Sequence, residues 1–209
     1  MMICRISAPL MGLLLLAAAT TSRADPYSAG ISAFASGDYA GALKLLRPLA
    51  EQGDFKAMNV VGGIYVGGFG VEKDCAKGTP MVLRAAQAGY ARAQYDMGRF
   101  YATGTCVPAS PRESLAWHLK AAKQHDPDAA FAAGLGYAEG ASGRMDLGEA
   151  YCWFRASLKF FDEAYPKASI DNGSPWLRNK QAAEKNVGVL RNMLSGAQRE
   201  RGDKLLCIG

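Results

Sequence analysis

Small and apolar residues recur along this chain at helical spacing, and the pattern itself repeats every 36 positions. Ala57, Ala93 and Ala129 each start one copy. The fifth residue after each is glycine (Gly62, Gly98, Gly134), the eighth is tyrosine (Tyr65, Tyr101, Tyr137), and glycine returns at the eleventh (Gly68, Gly104, Gly140). Ala85-Ala86 matches Ala121-Ala122, and Trp117 matches Trp153, without a gap. No segment alternates like a strand over a useful length, so the class is all-α. A fixed period in this range is the mark of a solenoid, whose units bury their apolar faces against one another.

Each copy divides into two helices. Helix A carries the Ala-Gly-Tyr pattern and ends in a glycine-rich loop such as Gly67-Gly68-Phe69-Gly70. Helix B opens on a cap: Ser110-Pro111-Arg112-Glu113 reads as a capping box with proline at the first helical position, and Asp146 and Glu149 hold the same places one copy later. Asp126-Pro127 starts the third helix A. In the first copy Pro80 lies too deep for a helix beginning at Asp74. The pattern therefore predicts a start at Thr79-Pro80, with Cys75 in an extended loop. Upstream, Tyr27 to Ala50 reads as a helix pair that caps the stack. The register dissolves after Phe160; a loop follows over 164–174, then a helix capped by Ser174-Pro175, a break at Ser195-Gly196, and a short helix towards Leu206. The resulting division is 1–24, a capping pair at 25–52, repeats at 53–88, 89–124 and 125–160, and a C-terminal cap at 161–209.

The first 24 residues read differently. Arg5, an apolar run from Leu10 to Ala19 and small residues flanking Arg23 form a secretory signal peptide, with cleavage expected after Ala24. The run is too short to span a bilayer, so an anchor is the weaker reading. Without Arg5 and Arg23, 22 basic side chains face 19 acidic ones. That mild, dispersed charge lacks the basic face that nucleic acid requires. Cys75, Cys106, Cys152 and Cys207 remain, an even number in an exported chain, which favours disulfides with three connectivities open. Stacking brings equivalent loops of neighbouring copies together, which favours Cys75–Cys106 and leaves Cys152 to tie the C-terminus through Cys207. A zinc site is disfavoured, because no Cys-x-x-Cys pair occurs and the chain has only two histidines. No metal or other cofactor is expected.

The recurring string Ala-x-x-x-apolar-Gly-x-x-Tyr-x-x-Gly is followed by Gly70-Val71 and Asp74, then by Glu149-Ala150 with Trp153, or by Ala85-Ala86 with Gly89. Together these resemble the Sel-1-like repeat family, a relative of the tetratricopeptide repeats, over about Leu49 to Lys159. Met81 stands where copy one should have tryptophan, and Ser157-Leu158 where copy three should have Ala-Ala. The front unit looks more like half a tetratricopeptide repeat. The resemblance implies a right-handed α/α superhelix of helix pairs with C-terminal capping helices, its A helices lining a concave surface. Similar proteins act as adaptors in envelope signalling, host interaction or secretion-system immunity, and some cysteine-rich members are linked to β-lactam binding and hydrolysis.

Positions left free by packing form columns on the A helices: Lys56–Arg92–Asp128, Asn59–Tyr95–Phe131, Val60–Asp96–Ala132 and Gly63–Arg99–Leu135. Aromatic and Arg residues dominate protein–protein hot spots. Asn59, Arg92, Tyr95, Asp96, Arg99 and Phe131 are therefore the candidate partner-binding set, although packing on a neighbouring helix would use the same residues. The expected partner is another protein or an extended peptide segment, with no nucleic acid and no membrane span after cleavage, and the chain is expected to be a monomer. His118 and His125 read as a surface histidine and a helix-terminal one. Serines lack the Gly-x-Ser-x-Gly elbow and a Ser-x-x-Lys helix start, so no nucleophile emerges and a non-enzymatic role is expected. A hydrolase or binder of β-lactam or cell-wall substrates is the alternative. Asn172-Gly173-Ser174 fits a glycosylation sequon, relevant only in a eukaryotic host.

Overall fold

A computed structural model describes residues 25–165, 175–205 and 207–208; the expected signal peptide, the expected 164–174 loop beyond Tyr165, the sequon and Ser174 lie outside them. The described residues form ten helices and no strand: α1 Pro26–Ala35, α2 Tyr39–Glu51, α3 Phe55–Gly67, α4 Cys75–Gln87, α5 Ala91–Thr103, α6 Pro111–Ala122, α7 Pro127–Ala138, α8 Leu147–Ala164, α9 Pro175–Met193 and α10 Gly196–Asp203. Each helix from α1 to α9 packs on its chain neighbours, and α10 folds back onto α8. The result is an α/α solenoid with A helices α3, α5 and α7 paired to B helices α4, α6 and α8.

Starts are set by short polar side chains that accept an orphan N–H of the first turn. Asp74, Ser110 and Asp146, spaced by 36, cap α4, α6 and α8 by accepting from the backbone N–H of Lys77, Glu113 and Glu149 respectively. This register overrides the start predicted at Thr79. Helix α4 begins at Cys75 and carries Pro80 in its interior. Proline there removes one bond to the carbonyl of Ala76, but both residues are exposed, so water can satisfy that carbonyl. Pro48 sits inside α2 in the same way.

Helix A and helix B approach through glycine. A Cβ on Gly62, Gly98 or Gly134 would fall within 2.7 Å of Val82, His118 or Phe154 respectively. Those three B-helix residues are again 36 apart, so each copy seats one side chain on one glycine. At Gly78 the approach is backbone to backbone, with an added Cβ 2.6 Å from the Gly62 carbonyl oxygen. His118 is therefore a core residue, 5% exposed, and not the surface histidine expected from sequence. The turns after α2, α4 and α6 place Gly53, Gly89 and His125 at φ of 96°, 94° and 65°. Glycine enters that left-handed region freely, and His125 occupies it with strain.

Disulfides join Cys75 to Cys106 and Cys152 to Cys207, the pairing that the repeat register favours. The first staples the start of α4 to the loop after α5. The second ties Cys207 to α8, whose buried Tyr151, Trp153, Phe154, Phe160 and Phe161 form an aromatic core.

Candidate functional site

A groove of about 460 Å³ runs between α1, α3 and α5. Its apolar wall comes from Tyr27, Ile31 and Phe34 of α1, Val60 of α3, and Phe69 in the loop after α3. Phe34, Tyr39 and Phe69 pack ring to ring at 5.3–6.1 Å and hold that end in place. Tyr90 closes the wall beside Tyr27. Burial foremost, and the neighbouring Tyr90, push the Tyr27 phenol up to about 12, so both rings stay neutral near neutral pH.

The polar wall centres on Asp96. Asn59 Nδ2 donates to Asp96 Oδ2 at 3.0 Å across the α3–α5 seam. Arg92 and Arg99, at i−4 and i+3, share its helix face, each placing one nitrogen 3.6 Å from the carboxylate. Beneath them Tyr95 offers its ring at 5.1 Å and 6.0 Å from the two guanidinium carbons, within cation–π range. Asp96 is thus held from three sides while the arginine side chains remain 50% and 58% exposed. Asn59 Oδ1 is buried and has no hydrogen-bond partner among the described residues.

Four of the six residues singled out from sequence, Asn59, Arg92, Asp96 and Arg99, therefore meet around one groove. The other two turn elsewhere. Tyr95 is half-buried with its ring 5.6 Å from His118, and Phe131 lies 5.5 Å from Phe154 in the core shared with α8 and α9. The α1 wall and Tyr90 escape sequence reasoning. One signal for Tyr90 was present. Asp54 and Asp126 cap α3 and α7, and Tyr90, at the equivalent position 36 residues away from each, makes no capping bond.

A second, smaller cavity of about 210 Å³ is lined by Ser114 and His118. Ser114 Oγ lies 3.4 Å from His118 Nδ1, and Nε2 has no hydrogen-bond partner among the described residues. Because the imidazole is pressed against Gly98, its nitrogen is turned into α5. Burial, then the Arg99 charge, lowers its pKa to about 4, which keeps it neutral. His125 is exposed, stacks on Phe160 at 4.4 Å and reaches Glu163. No three His, Cys, Asp or Glu side chains among the described residues converge as metal ligands. Among the same residues no helix is long and apolar enough to cross a membrane.

The Sel1 repeat family model matches residues 27–54, 55–90 and 91–126, and the chain is a Sel1-repeat protein. The first match makes the α1–α2 pair a Sel1 repeat in its own right. Proteins built from these repeats are commonly protein–protein interaction scaffolds. Among solved structures, a Sel1 repeat protein from Oxalobacter formigenes is 30% identical with a TM-score of 0.59, covering 66% of this chain and 57% of its own. A protective antigen of uropathogenic Escherichia coli strains displaying an SLR fold is 24% identical with a TM-score of 0.64, covering 80% of this chain and 32% of its own. This chain thus spans less than two thirds of either, and the second supports the fold alone.

Proposed function

We propose that this protein is a non-catalytic scaffold that holds an extended segment of another protein in the groove between α1, α3 and α5. The observation that carries this reading is the joining of an aromatic wall to a polar cluster with unspent donors, across α1, α3 and α5. Apolar surface supplies affinity, and the few polar groups fix register. The two disulfides fit an oxidising compartment. With the leader pattern they support export to the periplasm or beyond, as an adaptor, envelope regulator or immunity-type protein, acting as a monomer.

Gly63 provides the test. It lines the groove, and a Cβ built there meets nothing within 4 Å. Gly63→Trp should fill the groove while the helix, relieved of an interior glycine, stays as stable or gains up to about 1 kcal/mol. On an array of extended peptides the parent protein should retain a subset and Gly63→Trp should lose it. Retention of the same peptides by the filled variant would place the partner surface elsewhere.

A further inference from the structure

We infer that the groove selects segments carrying two acidic side chains two or three positions apart, next to an apolar residue. The inference rests on the peptide-binding reading above and adds the chemistry of the peptide. Of the side chains lining the groove, Arg92, Arg99 and Asp96 are the charged ones, so its lining is net positive. Asp96 is not free to attract a cation, being 17% exposed and held by Asn59 and both arginines. The arginines are less fully committed, although Arg92 also lies in the field of Asp126 and Asp128. Each guanidinium carries five N–H donors and gives Asp96 a single 3.6 Å approach. Both line a cleft whose other wall is aromatic, where a carboxylate is attracted more strongly than in open water.

Geometry sets the spacing. Both guanidiniums lie against one carboxylate, on opposite sides, so the charges they present are separated by less than about 10 Å, the rise of seven helical residues. An extended chain advances about 3.1–3.4 Å per residue, so carboxylates two or three positions apart match the pair. A terminal carboxylate is a single charge and would leave one arginine unanswered, which points to side chains of an internal segment. The apolar neighbour would rest on Tyr27, Phe34 and Phe69.

Fluorescence anisotropy with acetylated, C-amidated nonapeptides of alanine and serine, each carrying one phenylalanine, tests this. Two glutamates three positions apart should bind at least about tenfold tighter than two glutamines, and the advantage should shrink in 0.5 M salt, on the order of a 4 Å screening length. Two lysines should abolish binding. Arg92→Glu with Arg99→Glu should reverse the order of the glutamate and lysine peptides; Arg92→Gln with Arg99→Gln, a milder change, should erase the glutamate preference. Equal binding of glutamate and glutamine peptides, lost in Gly63→Trp, would overturn this inference and leave the groove reading standing. A glutamine peptide with a free C-terminus that binds like the glutamate peptide would assign recognition to a terminal carboxylate and also overturn it. Binding of none of the peptides would overturn both.

Discussion

The seam between α3 and α5 and the seam between α7 and α9 use the same repeat positions for opposite ends. In the first, Asn59 and Gly63 leave a polar bridge to Asp96 and an open groove. In the second, the equivalent Phe131 and Leu135 pack into a cluster with Ala183 and Leu190 of α9 and Leu194 just beyond it, and Asp128 accepts from Asn179 at 2.8 Å. The glycine-seated contacts within each pair are kept along the whole stack, whereas these seam positions change character from unit to unit. The difference shows where a solenoid can specialise without disturbing its packing.

The largest test of that contrast lies in the seat that every pair shares. Phe154→Ala empties a fully buried aromatic slot and should lower unfolding stability by about 3–5 kcal/mol. Val82→Ala, in the same slot of the earlier pair, should lower it by only about 1–2 kcal/mol, from about 0.8 per buried methylene. Denaturant melts of both variants check the asymmetry. Cys152→Ser with Cys207→Ser opens a link across 55 residues and should remove about 4 kcal/mol in the chain-entropy account. Breaking Cys75–Cys106, across 31 residues, should remove slightly less, and reductant, which opens both links, should reproduce the two losses together.

His118 holds the middle seat, and its effect depends on pH. Its folded pKa of about 4 lies below the usual 6.5, so the unfolded chain binds a proton first as pH falls. Its contribution is complete above pH 6.5 and is lost between there and pH 4, up to about 3 kcal/mol at 1.36 per unit. Thermal melts at pH 7.5 and 4.5 should differ by less in His118→Val, which carries the residue of the preceding pair. The smallest change in stability is expected at Tyr90→Asp. Restoring the cap found at Asp54 and Asp126 offsets the lost ring contacts, so stability should stay within about 1 kcal/mol. Peptide retention should nonetheless fall, because a groove wall is gone.

The 36-residue period made the helix pairs and the disulfide pairing legible, because packing and stacking act alike on every copy. Pro80 misled because it was weighed locally, while its exposed position makes the missing bond tolerable and the Asp74 cap keeps the register. The burial of His118 was written in the column Val82–His118–Phe154, which shows a seat filled by apolar side chains on either side. The groove was half legible. Arg92, Asp96 and Arg99 share one face of α5 and Asn59 faces them from α3, so these could be found by spacing, but much of the apolar wall comes from α1, outside the three copies that were in register. Tyr95 and Phe131 needed the rotational phase of the helices, which small residues leave undetermined.

The left-handed residue that closes α2, α4 and α6 has a last counterpart at Phe161, where no turn occurs and α8 runs on to Ala164. Up to that point every block begins and ends on the same backbone geometry. A duplicated or excised block of 36 residues would therefore rejoin the chain at matching ends, and the array could lengthen or shorten by recombination. Beyond Phe161 a new block would inherit a helix more than a turn too long and rotated out of phase. The loss of one turn thus fixes the side from which such an array can grow.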